Sequence, residues 1–176
     1  MKKSTLPLRP VLNLEGLIVR SSGSSLIEHV GVRRAKLMCD ERGRLGEIMR
    51  VDDPWFERFG QVYFTTTFPG VVKAWHYHAK QTDHFYVIKG LVKLALYDGR
   101  QASPTYGTIN ELYLGEHCPG LVRIPPGVLH GWMAAGQQEA YIVNVVSEPY
   151  NYTQPDEYRV DPHDNDIPYD WTRRDG

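Results

Sequence analysis

From Gly46 onward the chain runs as short apolar stretches cut by polar or glycine turns. Residues 61–68, Gln-Val-Tyr-Phe-Thr-Thr-Thr-Phe, are β-branched and aromatic, and Pro69-Gly70 closes them with a turn dipeptide. Residues 71–78 predict the next strand, with a polar bend at 79–82. Residues 83–88 predict another, Lys89-Gly90 a turn, and 91–97 the strand after it. Further strands are expected at 111–114, 121–124 and 140–146. Many short strands at close spacing, with turns between them, indicate an all-β barrel or sandwich.

The ends read differently. Leu12 to Arg20 is the one weak helix candidate, a short amphipathic piece, and Ser21-Ser22-Gly23-Ser24-Ser25 reads as a flexible loop. Asp40 to Gly46 carries glycines where a turn needs positive φ. From Glu148 the chain is rich in Pro, Asp and Tyr, which predicts an irregular segment that wraps the barrel and tucks Trp171 against it. The expected layout is one domain: an N-terminal arm and edge segment over 1–39, a barrel over 40–147 and a C-terminal wrap over 148–176.

Composition narrows the partners. With 20 Lys and Arg against 21 Asp and Glu, the net charge is −1. That disfavours nucleic acid or an anionic membrane surface, which a basic excess would attract. Arg33-Arg34 and Arg173-Arg174 are too short to be basic tracts and read as solvated surface. No stretch reaches the roughly 18 apolar residues of a membrane helix. Met1-Lys2-Lys3 is basic, but Leu6-Pro7-Leu8-Arg9-Pro10 interrupts any apolar run after it, so no secretory signal is expected. Two cysteines, Cys39 and Cys118, do not make a disulfide framework. The expectation is a cytoplasmic protein with free thiols.

The chemistry is carried by two spacings. The first is Gly70-x5-His76-x-His78-x4-Asp83-x6-Gly90, and the second is Pro125-Pro126-Gly127-x2-His130. Residues two apart on a strand share a face, so His76 and His78 project together. Asp83 opens the neighbouring strand of the same hairpin, and the Pro-Pro-Gly turn delivers His130 from a later one. In a closed small barrel the inward positions line one cavity, where three imidazoles and a carboxylate can converge. His84 alternates with Asp83 and is expected to pack or face out. Asp83 has a plainer reading as a turn-closing carboxylate paired with Lys80 or Lys89.

These spacings resemble the two motifs of the cupin superfamily, with Asp83 where Glu is usual and Ala134 where Asn is usual. The resemblance implies a cupin fold, a double-stranded β-helix or jelly-roll barrel. A narrower resemblance, over about residues 40–171, is to the dTDP-4-dehydrorhamnose 3,5-epimerase family. It rests on Asp40-Glu41-Arg42-Gly43, Lys73-Ala74-Trp75-His76-Tyr77, Ser103-Pro104-Thr105-Tyr106-Gly107, Ile124 to Gly131 and Ile167-Pro168-Tyr169-Asp170-Trp171. That family removes a proton beside a ketone of a 4-keto-6-deoxy nucleotide-sugar and returns it on the other face. The resemblance makes His76 the base, His130 a second active-site histidine and Lys73 a substrate contact in the place of an Arg.

This sequence departs from the family pattern at several positions. The family's active-site Lys falls on Asp83. Its acid Tyr falls on Val143, and Tyr141, expected to face the same way, is the substitute. The Asp that orients the base histidine belongs to a C-terminal extension not expected after Trp171. The catalytic set is then His76, His130 and Tyr141. Lys73, Trp75, His78, Arg123 and Trp132 are the substrate-binding set, with Lys73 and Arg123 as pyrophosphate contacts and the tryptophans as stacking walls. The plainer readings are surface charge for the two cations and packing for Trp75, Phe85, Tyr86 and Trp132.

Three functions follow. The first is an epimerase of nucleotide-sugars in polysaccharide biosynthesis, which needs no cofactor. The second is a metal-dependent cupin enzyme with a divalent ion on His76, His78, Asp83 and His130, where the ion can replace the missing Lys as electrophile. The third is a non-catalytic sugar-binding cupin. The expected partners are a nucleotide-sugar and a second copy of the chain in a homodimer, the aromatic strands and the N-terminal segment suiting strand exchange. No nucleic acid or membrane partner is expected.

Overall fold

The computed structural model describes residues 5–173. Met1-Lys2-Lys3, Arg174 and the extreme ends of the two terminal segments lie outside the described residues. The chain builds β1 (Arg9–Leu14), β2 (Leu17–Ser21), β3 (Gly31–Arg34), β4 (Leu37–Asp40) and β5 (Gly43–Gly46) before the first strong apolar run. It continues through β6 (Gln61–Thr67), β7 (Val72–Tyr77), β8 (Asp83–Lys89), β9 (Leu91–Asp98) and β10 (Ile109–Gly115). The last strands are β11 (Gly120–Ile124), β12 (Val128–Ala134), β13 (Ala140–Val146) and the short β14 (Tyr158–Arg159). No helix occurs among the described residues, and so none that is long and apolar enough to cross a membrane.

Two antiparallel sheets face each other. One has the order β1-β2-β10-β9-β12-β7-β14, the other β3-β11-β8-β13-β6, and β4-β5 is a separate hairpin. Alternation along the strands fills the shared interior. Val92, Leu94, Leu96, Leu112 and Leu114 come from the first sheet, and Phe85, Val87, Val122, Ile124 and Ile142 from the second. Sandwiched sheets of this kind are the all-β jelly-roll barrel expected from the sequence.

The Leu12–Arg20 helix expectation is corrected. The segment is a hairpin, with Leu14 opposite Leu17 and a two-residue turn at Glu15-Gly16, both at positive φ. That is the turn whose twist matches antiparallel strands, and glycine adopts it without strain. Gly16 N–H also donates to Asn13 Oδ1 at 2.9 Å. Leu17 and Val19 are fully buried, so tertiary packing overrides the weak helical period. The N-terminal segment is woven in rather than loose: β2 pairs with β10 and β3 with β11.

The outer face of the larger sheet is also covered. Trp75, Ala95, Met133, Tyr169 and Trp171 form a second core under the C-terminal segment. The Lys93 ammonium is buried there, donating to the carbonyls of Trp171 at 2.9 Å and Thr172 at 3.1 Å and lying over the Tyr169 and Trp171 rings. β12 approaches β7 closely at Gly131, where a Cβ would come within 2.2 Å of the Ala74 Cβ. Only glycine allows that spacing, which sets β7 against β12 beside the two histidines.

Candidate active site

One part of the barrel interior is polar. His76 on β7 and His130 on β12 are direct register partners, with ring centroids 4.1 Å apart. His78 follows the end of β7, and its ring lies 5.9 Å from His76 and 5.8 Å from His130. One ring nitrogen from each of the three lies within 4.8 Å of the others. Asp83 enters from β8 in the facing sheet. Its Oδ2 lies 3.1 Å from His130 Nε2, off the ring N–H axis, and 3.6 Å from His78 Nε2. Its Oδ1 accepts Gln81 Nε2 at 2.6 Å.

Backbone carbonyls aim two of the imidazoles. His130 Nδ1 meets Val128 O at 3.0 Å, and His78 Nδ1 meets Asp156 O, which holds each ring with Nε2 on the carboxylate side. Asp156 was not singled out by sequence reading. Its carboxylate also caps the histidine loop, accepting N–H groups from Ala79 at 2.9 Å, Lys80 at 2.8 Å and Gln81 at 3.1 Å. An Asp in the irregular tail gives no periodic signal that could have marked it.

The charges divide in a useful way. Burial opposes ionisation of Asp83, but its contact with His130 and the other imidazoles outweigh it, holding the carboxyl below the usual carboxylate range. His76 is pushed the other way. Burial, and then the neighbouring His130, lower its pKa well below the ordinary imidazole value. Among the described residues no protein hydrogen bond engages the His76 ring. It is an uncharged imidazole at neutral pH, half-buried at the cavity, with a free lone pair.

The remaining expected residues separate into those the cavity holds and those it does not. Trp132 stands inside, its ring edge-on to His76 at 5.4 Å and its indole N–H donating to Thr67 Oγ1 at 2.8 Å. Lys73 is inside as well. Strict alternation from His76 would turn it outward, but a register shift places Lys73 opposite Trp132 and turns it inward. Its ammonium donates to Thr65 Oγ1 at 2.9 Å and Thr66 O at 2.7 Å.

Trp75 faces the other side and packs against Tyr169 and Trp171, so the core reading holds for it. Arg123 alternates with the buried Val122 and Ile124 and points off the outer face of the smaller sheet. There it donates to His29 O at 3.0 Å and pairs with Glu57. Tyr141 also leaves the cavity. Ile142 and Asn144 are the buried, inward positions of β13, so Tyr141 and Val143 face out. Its hydroxyl donates to Glu139 at 3.2 Å, and Lys89 lies over its ring. His84 faces out as expected, its ring between Val145 O and Trp55 O.

Two cavity-facing residues were missed. Arg159 on β14 is the register partner of His76, at the cavity edge, and donates to Glu157 at 2.8 Å. Tyr63 on β6 is the register partner of Asn144, whose Nδ2 donates to its hydroxyl at 2.9 Å. Both lie in segments whose face a sequence does not declare.

A neutral histidine with a free lone pair, a buried carboxylate and cations at the edge make a pocket suited to moving a proton on an anionic ligand. The sequence matches the polysaccharide biosynthesis C-terminal domain family over residues 38–158. It is 38% identical over 146 residues to the spore coat polysaccharide biosynthesis protein SpsL of Bacillus subtilis, covering 83% of this chain and 97% of that protein. It is 40% identical over 146 residues to the probable low-salt glycan biosynthesis epimerase Agl13 of Haloferax volcanii, covering 82% and 89%. The crystal structure of a dTDP sugar isomerase from Desulfovibrio desulfuricans superposes with a TM-score of 0.80 at 33% identity, over 85% of this chain and 94% of that one. The chain therefore belongs to the polysaccharide biosynthesis C-terminal domain family, among the cupin-fold epimerases of nucleotide-sugars.

Proposed function

We propose that the chain epimerises a 4-keto-6-deoxy nucleotide-sugar at a carbon next to the ketone, with His76 as the base. The observation that carries this reading is the His76 imidazole itself: kept neutral by burial, without a protein hydrogen bond, and aimed into the cavity. A general base needs a free lone pair at working pH. His130 and His78, each with Nδ1 on a backbone carbonyl and Nε2 beside Asp83, line the cavity next to that base. Lys73 and Arg159 lie on the cavity side, where a pyrophosphate needs cations, and Trp132 offers a wall for the sugar. The similarity to a dTDP sugar isomerase makes dTDP-linked ketosugars the first substrates to test. Proton NMR in D2O is expected to show loss of the signal beside the ketone with the wild-type chain and its persistence with His76→Ala. Equal exchange by both proteins would remove His76 from the role.

A second reading is supported by the same imidazoles. His78 and His130 have backbone carbonyls at Nδ1 and present Nε2, the arrangement that ligand histidines use; with His76 they form a three-nitrogen cluster, and Asp83 Oδ2 stands beside it, 3.1 Å from His130 Nε2 and 3.6 Å from His78 Nε2. A divalent ion held by His76, His78, Asp83 and His130 would act as a Lewis acid on the ketone. Metal content of the purified protein separates the readings: full epimerisation by metal-free protein ends this one.

The partner proposed is a second copy. The outer face of the edge strand β6 exposes Val62 and Phe64, with Phe68 beyond it and Ile88 on β8 of the same sheet. Phe64 is 70% exposed, unusual for so large an apolar ring. An apolar face on an edge strand suits an isologous sheet-to-sheet contact. The proposed place of work is the cytoplasm, where nucleotide-sugars are substrates and Cys39 and Cys118 stay free thiols.

A further inference from the structure

Inversion needs two groups. A base takes the proton from one face of the carbon, and an acid returns one to the other. The residue that sequence counting offered for the second task, Tyr141, points out of the barrel. Its hydroxyl is engaged with Glu139, and no part of β13 turns it back. The return of the proton therefore calls for a different donor on the cavity wall.

We propose that Tyr63 is that donor, delivering its phenolic proton to the enolised carbon from the side opposite His76. The assignment rests on the enolisation reading above and names the residue that completes it. Strand register fixes the orientation. Tyr63 lies opposite Asn144, and Asn144 lies opposite Phe85, which is inside the barrel core. The same face of β6 carries Thr65, bonded to Lys73, and Thr67, bonded to Trp132. Those two bonds cross from one sheet to the other beside His76. Tyr63 thus stands on the wall facing the base, one strand position pair along from Thr65.

Its hydroxyl is set up to give a proton. Asn144 Nδ2 donates to the phenolic oxygen at 2.9 Å, which fixes its place. Asn144 Oδ1 is itself tied to the His84 N–H at 3.0 Å, so the amide cannot flip and present its oxygen without losing that bond. Among the described residues the Tyr63 O–H donates to no protein acceptor. Its proton is free for a ligand. Burial, and then the charge of Asp83, push its pKa above the ordinary phenol range, so the hydroxyl keeps its proton at neutral pH. Tyr63 is 38% exposed, so solvent reaches it.

The step balances. His76 takes the proton beside the ketone, and the C–H electron pair forms the enolate. The Tyr63 O–H bond then breaks and a C–H bond forms on the opposite face as the enolate returns to the ketone. Imidazolium and tyrosinate remain, and solvent carries the proton from one to the other.

The test separates exchange from inversion. Tyr63→Phe keeps the ring and loses the hydroxyl. With a dTDP-linked ketosugar in D2O, the variant is expected to keep deuterium wash-in with retained configuration while inverted product falls by about 10²-fold or more. Unchanged dTDP affinity by calorimetry certifies its pocket. A second arm places 3-fluorotyrosine at position 63, which preserves the fold and strengthens the acid. There inversion is expected to change several-fold with wash-in constant. Wild-type inversion in Tyr63→Phe overturns the assignment, as does loss of inversion in Tyr141→Phe instead. Wild-type protein that neither exchanges nor inverts fells the enolisation reading, and Tyr63 with it.

Discussion

At the residue scale the site sets an ionised carboxylate, Asp83, beside an uncharged imidazole, His76. Asp83 is fully buried yet ionised because the imidazoles face it. Replacing it with Asn leaves those rings against an amide, and removal of one partner from a buried charged cluster costs about 3–5 kcal/mol. Asp83→Asn is expected to lower stability by that order in chemical denaturation, and a change below about 0.5 kcal/mol would show the cluster to be slack. In the proposed reaction His76 sets the pH behaviour. Its pKa is depressed in the folded protein, so it stays an unprotonated base as pH falls below the ordinary imidazole value of about 6.5. Activity is lost only when pH falls through that depressed value. The acid limb of kcat/KM is expected below pH ~6.5, and a limb at or above it would contradict a buried neutral base.

At the scale of elements, register decides function. The pairing of His76 with His130 follows from spacings that the sequence displays: the H-x-H period puts two rings on one face, and Pro-Pro-Gly times the third. The grouping of the three histidines was legible for that reason, as were seven strand segments of the barrel, though the bounds of β12, which carries His130, were not. What was not legible came from departures from period two. A shifted register in β7 turns Lys73 inward. Counting along β13 from His130 placed Val143 and Tyr141 inward, whereas the buried positions are Ile142 and Asn144. Arg123 and Trp75 sit on correct strands but opposite faces, since a one-residue difference in register reverses every side chain. The hairpin of β1 and β2 was hidden because its period is weak and its burial is supplied by distant strands. The C-terminal segment makes its own contribution. Trp171 is 2% exposed and packs on Trp75 and Tyr169. Trp171→Ala is expected to cost about 3–5 kcal/mol, measured as a lowered denaturation midpoint, and a change under about 1 kcal/mol would show the wrap to be dispensable.

For the whole molecule, one sheet covered on both faces and one with an open outer face define what it does with its surface. The larger sheet is packed on both sides. The smaller sheet shows Val62, Phe64 and Ile88 to solvent, a face that a second copy would bury. Light scattering is expected to give twice the chain mass, and Phe64→Arg to give the single mass with the fold intact. A monomer at micromolar concentration in the wild type would contradict the pairing. The proposed ligand place is the polar end of the interior, between the histidines of one sheet and Asp83 and Tyr63 of the other. A crystal structure with a dTDP-sugar bound tests that commitment most directly. The proposed reaction puts the carbon beside C4 within about 3.5 Å of a His76 ring nitrogen, the distance at which proton transfer becomes possible. A sugar seated instead on the outer face near Arg123, or turned with its ring away from His76, would contradict it.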